Sequence, residues 1–349
     1  MSSITTVTQL ERLVGRRPFS VMMKSIPSLD VHCERLLALS PFAVLGYADA
    51  QGRARAMAVG GAPGFATPMD PNHLHLGLPP EELPALDPSA GVGMLFFMPG
   101  LGETLRVNGA ARVEGDVLHL TVEEAFGHCA KALLRSDLWG PPLSPPEPEA
   151  APDLGVGAGP LADPTLQRWL ARAPLLVLTS RDADGRADAS PKGDPPGFVR
   201  LDGEDVLIPD RPGNRRTDTF HNLLEQPQVA LLALVPGETQ ALEISGRASL
   251  TTDPALLATM AVQGKTPKIA LRLTADRVEL RERRALAAAR LWDPSRHVPE
   301  GERPRMAAVF SDHLKQSKEG GLAAAAVRTL ASQRLVAWGL ALNYEKHRY

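Results

Sequence analysis

The chain has 349 residues, with 38 lysines and arginines against 40 aspartates and glutamates, and a formal net charge of -2 at pH 7. A balance so close to zero gives no overall excess of one charge that would recruit nucleic acids or anionic membranes. Two cysteines, Cys33 and Cys129, exclude a disulfide framework, and the first residues lack the apolar core of a signal peptide. We therefore expect a cytoplasmic protein that binds neither nucleic acid nor membrane.

The predicted elements follow one another in five segments. These are a helical lead over 1–29, a first half over 30–141, a linker rich in proline and glycine over 142–162, a second half over 163–294 and a helical extension over 295–349. Proline removes backbone donors and favours extended chain, so the linker is expected to be a semi-rigid spacer. In the extension, arginine and glutamine residues interrupt the apolar run 322–342, which indicates an amphipathic helix rather than a membrane span.

Each half has the pattern of short strands flanked by helices. Apolar runs that end in an Asp-Ala-x-Gly-Arg turn begin at Pro41 and Pro174, and shorter runs bounded by glycine and proline follow them. Helices are predicted over 29–39, 165–171, 217–225 and 255–262, and again after Pro304. The predicted fold class is mainly β with flanking helices (α+β), in which each half forms an antiparallel barrel.

The two halves are repeats of one another. Residues 41–65 and 174–198 are identical at 13 of 25 positions without a gap. The pairing continues at an offset of 137 residues between Gly109 and Gly246, and at an offset of 153 between Trp139 and Trp292. About sixteen residues within 251–268 belong to the second half alone. Self-similarity of this length indicates a tandem duplication of a unit large enough for its own core.

The second half contains a candidate phosphate site between a predicted strand and a predicted helix. A helix N-terminus offers N–H groups and partial positive charge, and arginines beside it complete a site for phosphate. The candidate residues are Asp210, Arg211, Asn214, Arg215 and Arg216, with Thr217 or Asp218 as the helix cap. The same region of the first half, residues 78–82, has two glutamates and no arginine and would repel a phosphate. A solvated basic loop is the alternative interpretation.

A family resemblance is carried by four runs of residues, 190–198, 208–216, 102–109 and 128–139. Together they resemble the FMN-dependent pyridoxamine 5'-phosphate oxidase class of split-barrel flavoproteins. The resemblance implies a split β-barrel that usually forms a homodimer, with FMN bound where two barrels meet. Because both barrels would here belong to one chain, it implies two split β-barrels in an internal pseudo-dimer, and so a monomeric chain, although further oligomerisation stays open.

Polar residues at two further places complete the predicted site. Ser190 and Lys192 end a strand of the second half, and beside a flavin they could bond its carbonyl edge or stabilise the anionic reduced ring. In the first half, His128, Lys131 and Arg135 are spaced to share one helical face that turns toward a cofactor anion. Neither set is kept in the other half, so the sequence predicts one FMN site that joins the loop of the second half to the helix of the first. The alternative interpretation of Lys192 is a surface lysine after a turn, and that of the helix residues is an ordinary solvated helix face.

The predicted function is that of an FMN-dependent oxidoreductase, an oxidase or a reductase. It would act on a small molecule that the sequence does not identify, with NAD(P)H or O2 as redox partner. The alternatives are a non-catalytic flavin- or haem-binding protein and a structural pseudo-dimer in which both sites are inactive. No metal site is predicted, because His128 and Cys129 are adjacent in the predicted helix and no CxxC or HxxxH partner accompanies them.

Overall fold

The computed structural model describes residues 3–141 and 152–346, so residues 142–151 of the predicted linker lie outside the described residues. The strands are β1 (Ser3–Ile4), β2 (Phe42–Ala48), β3 (Ala54–Gly60), β4 (Ala66–Asp70), β5 (His73–Gly77), β6 (Gly91–Phe97), β7 (Thr104–Glu114), β8 (Val117–His128), β9 (Gly155–Gly157), β10 (Leu175–Arg181), β11 (Ala187–Gly193), β12 (Arg200–Gly203), β13 (Asp205–Pro209), β14 (Gln228–Leu234), β15 (Gln240–Thr251) and β16 (Ala270–Glu282). The helices are α1 (Val7–Val14), α2 (Phe19–Met22), α3 (Val31–Leu39), α4 (Lys131–Ser136), α5 (Pro164–Arg172), α6 (Asp218–Glu225), α7 (Pro254–Ala258), α8 (Arg284–Ala289), α9 (Met306–Gln316), α10 (Leu322–Leu330) and α11 (Gln333–Lys346).

Each half forms one sheet, and the two sheets have the same strand order. The sheet of the first half runs β3-β2-β6-β7-β8-β5-β4, and that of the second runs β11-β10-β14-β15-β16-β13-β12, with β9 added at its edge and β1 paired to β15. Both sheets carry a β-bulge at the equivalent glycine, Gly109 in β7 and Gly246 in β15. The prediction of a mainly β fold with flanking helices is confirmed, although the pairing among the described strands closes neither sheet into a barrel.

The central strands are apolar on both faces because each face packs on a different core. In β10, Leu176 and Leu178 belong to the core of the second half, whereas Leu175 and Val177 pack into a cluster shared by both halves. Alternation of period two sends successive side chains to opposite faces, so a strand buried on both sides has an uninterrupted apolar run. Strand β2 of the first half has the same arrangement, with Phe42 and Val44 in the shared cluster.

The backbones of the two halves approach closely at glycines. A Cβ atom added to Gly46 would lie 2.5 Å from the Cβ of Thr179, and one added to Gly93 would lie 2.6 Å from the carbonyl carbon of Asp188. The rings of Trp139 and Trp292 meet across the same junction, with their centroids 6.2 Å apart. The two sheets are therefore packed against each other through small residues and apolar side chains, with no space for solvent at these contacts.

The lead packs on both halves, and the extension packs on the first half. Leu10 of α1 is buried in the core of the second half, while Phe310 of α9 is buried in the core of the first. Asp30 caps α3 and also accepts a hydrogen bond from Gln316 (3.0 Å), which attaches α9 to that helix. Among the described residues, no helix is both long enough and apolar enough to cross a membrane. The predicted helical lead also contributes a strand, β1, that the sequence pattern did not indicate.

We expect Gly93→Ala to lower the free energy of unfolding by about 1–3 kcal/mol, because the new methyl group overlaps the Asp188 backbone and must move one sheet relative to the other. The measurement is chemical denaturation of the full chain. Gly77→Ala is the matched control, since nothing lies within 4 Å of a Cβ at that strand end, and it should change stability by less than about 0.5 kcal/mol. Equal effects of the two substitutions would contradict the close contact between the sheets.

Candidate functional site

A cavity of about 1000 Å³ lies between the two halves and is lined by residues from four parts of the chain. The second half contributes the end of β11 and the loop from β13 to α6, and the first half contributes the end of β8 and α4. The lead and the extension add further wall residues, among them Lys24 and Phe310. All nine predicted site residues line this cavity, namely Lys131, Arg135, Ser190, Lys192, Asp210, Arg211, Asn214, Arg215 and Arg216.

Two arginines fix the start of the loop between β13 and α6. The Arg211 side chain is only 6% exposed, and its Nε–H donates to the Asp194 carboxylate over 2.6 Å. Arg135 of α4 donates to the carbonyl oxygens of Gly193 and Pro212, both over 3.0 Å, and so ties the first half to this loop. Among the described residues, the Nη2 atom of Arg211 is buried without a hydrogen-bond partner. Arg211 lines the cavity, and a guanidinium N–H group without an acceptor at such a position favours an anionic ligand.

The guanidinium of Arg216 is bound by other side chains of the protein. Its guanidinium forms ion pairs with Glu124 of β8 and with Asp218, donates to the Ser25 hydroxyl over 2.6 Å, and lies 3.9 Å from the centre of the Phe126 ring. The side chain is 7% exposed. With these contacts satisfied, Arg216 joins the two halves at the cavity wall and presents its charge to the cavity from a fixed position.

Arg106, which the sequence reasoning did not assign, lies at the centre of the same network. It is 1% exposed in β7 and donates to Asp218 over 3.1 Å and to the Ser190 hydroxyl over 2.7 Å. Its Nε atom is buried and has no hydrogen-bond partner in the part of the chain that the structure describes. A signal was present in the sequence, because the equivalent position in the second half, at an offset of 137 residues, is Glu243, a reversal of charge at a strand position.

The remaining predicted residues of the second half surround this network. The Lys192 ammonium lies 3.4 Å from a carboxylate oxygen of Asp210 and 4.8 Å from the centre of the Phe220 ring. Asn214 accepts a hydrogen bond from the Arg216 backbone N–H, and Arg215 is exposed with a left-handed φ of 58°. The N-terminus of α6 faces the cavity, and no side chain caps it.

Thr217 lies at the predicted cap position of α6, but its side chain does not cap the helix. Thr217 occupies the cap position in a left-handed conformation, with a φ of 56°, and its hydroxyl donates to the Arg216 carbonyl oxygen instead of accepting from the helix. Asp218 binds arginines through its carboxylate. The first N–H groups of α6 are therefore left without a side-chain acceptor, as at the anion-binding ends of helices.

The residues of the first half that line the cavity belong to a strand and a helix, and not to the single predicted helix. The prediction that His128, Lys131 and Arg135 share one helix was wrong, because His128 is the last residue of β8 and α4 begins at Lys131. All three still line the cavity, since the strand runs directly into the short helix. Burial lowers the pKa of Lys131, and burial with the nearby Arg106 charge lowers the pKa of His128 well below its usual range. At neutral pH, His128 is therefore an uncharged imidazole.

The cavity wall is strongly cationic in a chain of almost zero net charge. The described lining residues include ten lysines and arginines and two aspartates. The cations are Lys24, Arg106, Lys131, Arg135, Lys192, Arg211, Arg215, Arg216, Lys265 and Lys268, and the carboxylates are Asp210 and Asp218. Glu124 and Asp194, which contact arginines from behind the wall, reduce this excess without removing it. Such a concentration of one charge selects anionic ligands.

In the equivalent region on the other side of the molecule, charged side chains of the protein pair with one another. Glu243, at the position equivalent to Arg106, pairs with Arg55 over 2.8 Å and with Arg283 over 3.4 Å. Glu81, in the segment equivalent to the phosphate loop, pairs with Arg284 of α8. Burial raises the pKa of Glu243. At these equivalent positions, the charged side chains are therefore neutralised by neighbouring side chains of the protein instead of facing a cationic cavity.

Comparison with known proteins gives matches of family and of structure. Among solved structures, HupZ of Group A Streptococcus is 14% identical over 34% of this chain and 94% of its own, with a TM-score of 0.30. General Stress Protein 26 from Bacillus anthracis is 12% identical over 33% and 94%, with a TM-score of 0.27. HutZ, the heme storage protein from Vibrio cholerae, is 15% identical over 34% and 93%, with a TM-score of 0.26.

No curated protein matches the chain. Residues 162–282 match the family model described as pyridoxamine 5'-phosphate oxidase. The matched region contains β10 to β16, the loop between β13 and α6, and every predicted site residue of the second half. The similarity to this family model therefore covers most of the second half of the chain.

Proposed function

We propose that the cavity binds FMN and that the chain is an FMN-dependent oxidoreductase of small molecules. Two features of one cavity support this proposal: Nη2 of Arg211 is buried without a hydrogen-bond partner among the described residues, and the N-terminus of α6 has no side-chain cap. A phosphate monoester supplies the acceptor oxygens and the negative charge that both features favour. The family match over residues 162–282 supports a flavin in particular as the molecule that carries the phosphate.

The two halves would act as an internal pseudo-dimer of split barrels with one composite site. The common strand order supports this, as does the apolar cluster that both halves share. The site would use the loop of the second half and α4 of the first. The equivalent region would not bind a second FMN, because Glu243 and Glu81 place carboxylates there that are already paired with arginines. A pseudo-dimer with a single site explains why each half keeps only one of the two sets of polar residues.

Several side chains have clear tasks in such a site. Arg211, Asn214 and the α6 N-terminus would bind the phosphate, while Arg216 and Arg106 keep this wall rigid through Asp218. Lys192 and Lys131 would stabilise negative charge that develops on a reduced ring. When bound, FMN would supply the two-electron redox chemistry, with NAD(P)H or O2 as the redox partner.

His128 would hold a proton at a defined nitrogen. Its Nδ1 lies 3.3 Å from the Cys129 carbonyl oxygen, which assigns the proton to Nδ1 and leaves Nε2 as the basic atom. Because burial and the Arg106 charge lower its pKa well below the usual range, Nε2 is unprotonated at neutral pH and would accept a hydrogen bond from a bound molecule.

The same imidazole supports a second candidate function, a non-catalytic haem-binding protein. A neutral histidine in a cationic cavity could ligate iron while the cations bind haem carboxylates. Titration of the purified chain separates the candidates. Addition of FMN should give a saturable change in flavin absorption and fluorescence, and addition of haem should give no Soret shift. A Soret shift that disappears in His128→Ala would support haem instead.

For Arg211→Ala we expect a ten- to a hundredfold loss of FMN affinity, about 1.5–3 kcal/mol, because a charge-assisted hydrogen bond to phosphate is removed. Fluorescence titration measures it. Riboflavin, which lacks the phosphate, provides the internal comparison, and its affinity should be the same in the variant and the parent chain.

Arg284→Ala is the matched control for this experiment. It removes an arginine from the equivalent region of the other side, where Arg284 pairs with Glu81, and should leave FMN affinity unchanged. Equal affinities of FMN for the parent chain and Arg211→Ala would remove the loop from the site. An equal loss for FMN and riboflavin would assign the effect to folding rather than to phosphate binding.

Gly193→Ala should lower FMN affinity by about tenfold, because it displaces α4 from the second half. A Cβ at Gly193 would lie 2.1 Å from the Ala132 carbonyl oxygen, so α4 cannot keep its position. The equivalent glycine, Gly60, has the Pro41 oxygen at 2.6 Å and the Ala285 oxygen at 3.2 Å.

Gly60→Ala therefore serves as the control, with a similar cost in folding stability but no loss of FMN affinity. Calorimetric titration with FMN and a thermal unfolding curve are needed for each variant. If both variants lose FMN equally, or neither does, the composite nature of the site is contradicted.

A further inference from the structure

A carboxylate, a thiol and an imidazole lie together where α3 contacts α9. Asp30, Cys33 and His313 each offer one atom that can bind a metal ion, and these three atoms lie within 4.8 Å of one another. Cys33 and His313 are fully buried, and the Asp30 side chain is only 13% exposed. None of the three lines the cavity between the two halves, so the proposed function gives this cluster no role.

The start of α3 brings two of these groups together. Asp30 is the cap residue of α3, and its Oδ1 accepts hydrogen bonds from the backbone N–H groups of His32 (3.0 Å) and Cys33 (2.9 Å). A cap side chain bends back over the first turn of its helix, and Cys33 belongs to that turn. The capping bonds fix the carboxylate through Oδ1, which leaves Oδ2 for contacts with α9.

The extension supplies the third group, 283 residues after Asp30 in the chain. Nε2 of His313 in α9 lies 3.3 Å from Oδ2 of Asp30, and Gln316 donates a hydrogen bond to the same oxygen over 3.0 Å. His32 and Asp312 form a further contact between the two helices, at 3.0 Å. The carboxylate is therefore oriented by neighbouring hydrogen bonds, as the carboxylates that ligate metals are.

The imidazole of His313 gains little from the protein alone. The distances from its Nε2 to the two Asp30 oxygens, 3.3 and 3.4 Å, are longer than those of an ordinary hydrogen bond. Its Nδ1 is buried and has no hydrogen-bond partner among the described residues. Burial of a polar ring without short hydrogen bonds costs free energy, and a metal ion bound at Nε2 would compensate for this cost.

The distances and charges of the cluster fit a tetrahedral Zn²⁺ ion. With bonds of about 2.0 Å to nitrogen and oxygen, two ligand atoms of a tetrahedral site lie about 3.3 Å apart. Nε2 of His313 and Oδ2 of Asp30 have this separation, 3.3 Å. Sulfur and nitrogen ligands disfavour Mg²⁺ and Ca²⁺, which prefer oxygen. A thiolate, a carboxylate and a neutral imidazole would also neutralise a divalent cation, as a buried site requires.

We propose that Asp30, Cys33 and His313 form a structural Zn²⁺ site that joins the extension to the first half. Oδ2, Sγ and Nε2 would be the protein ligands, and water at the exposed edge of Asp30 would complete the tetrahedron. On binding, the Cys33 thiol releases its proton to solvent, and the sulfur binds the ion as a thiolate. The ion would fix α9, whose Phe310 lines the cavity. The site and its test are independent of the ligand in that cavity.

The test uses the full chain, purified without a histidine tag, freed of metal by a chelator and titrated with Co²⁺. Co²⁺ replaces Zn²⁺ in tetrahedral sites, and a thiolate ligand gives it a charge-transfer absorption in the near ultraviolet. We expect this absorption to saturate at one equivalent of Co²⁺ per chain and to disappear when Zn²⁺ displaces the Co²⁺. Titration without this absorption, or without saturation at one equivalent, would overturn the site.

The two cysteines of the chain provide a matched pair of variants. Cys33→Ser should abolish the Co²⁺ absorption, because it removes the thiolate ligand. Cys129→Ser changes the other cysteine, which is half-buried in the cavity wall, and should keep the absorption of the parent chain. Equal absorption in the parent chain and Cys33→Ser, or loss of the absorption in Cys129→Ser alone, would assign the bound Co²⁺ to another place.

Asp30→Asn tests the site in a chain that keeps its helix cap. Asparagine caps helices as well as aspartate does, so this variant serves even if Cys33→Ser does not fold. We expect its affinity for Co²⁺ to fall by at least about a hundredfold, the upper end of the effect of losing an outer partner of a metal ligand. Zn²⁺ should raise the midpoint of thermal unfolding by about 3 °C or more in the parent chain only. Equal affinities, or equal thermal shifts, in the two chains would contradict the proposal.

Discussion

The carboxylate of Asp218 connects three separate parts of the chain. It accepts ion pairs from Arg17 of the lead, Arg106 of the first half and Arg216 of the second, at the first residue of α6. Loss of one partner from a buried ion pair leaves an uncompensated charge at a cost of about 3–5 kcal/mol, so these groups depend on one another. The position of the loop before α6, and with it the shape of the cavity wall, follows from this shared carboxylate. The candidate site is thus part of the contact that holds the two halves together.

The asymmetry between the halves is an exchange of charge at equivalent positions. Arg106 corresponds to Glu243, and Asp188 corresponds to Arg55, so the strands that face the cavity on one side carry opposite charges on the other. On the cavity side this leaves cations, and among the described residues buried guanidinium nitrogens of Arg106 and Arg211 have no hydrogen-bond partner. On the other side Glu243 is neutralised by Arg55 and Arg283. Two halves with one strand order therefore present one cationic cavity and one internal salt-bridge cluster.

Much of the fold could be predicted from the sequence because strand positions follow local patterns. The apolar runs of β2 and β10, the turns after them and α5 lie close to their predicted places, and α6 begins within one residue of its predicted start. The helix predicted over 255–262 is shorter, because α7 ends at Ala258. His128 was misplaced because helical spacing was applied across the boundary between a strand and a helix.

The sequence predicted which polar residues lie at the candidate site, but not which other residues they contact there. All nine predicted residues line one cavity, because comparison of the halves identified the polar positions kept in only one of them. Arg106, Lys24 and Phe310 were missed, since their approach to the site depends on long-range packing, such as the 112-residue separation between Arg106 and Asp218. The roles of the predicted residues toward FMN stay predictions.

The central claim is that two equivalent halves make one flavin site, and the most direct measurement counts the flavin. The full chain is saturated with FMN, freed of excess ligand and denatured, and the released flavin is compared with the protein by absorption. This account predicts one equivalent of FMN per chain. Two equivalents would show that the equivalent region, which contains Glu243, also binds flavin, and would contradict the single composite site.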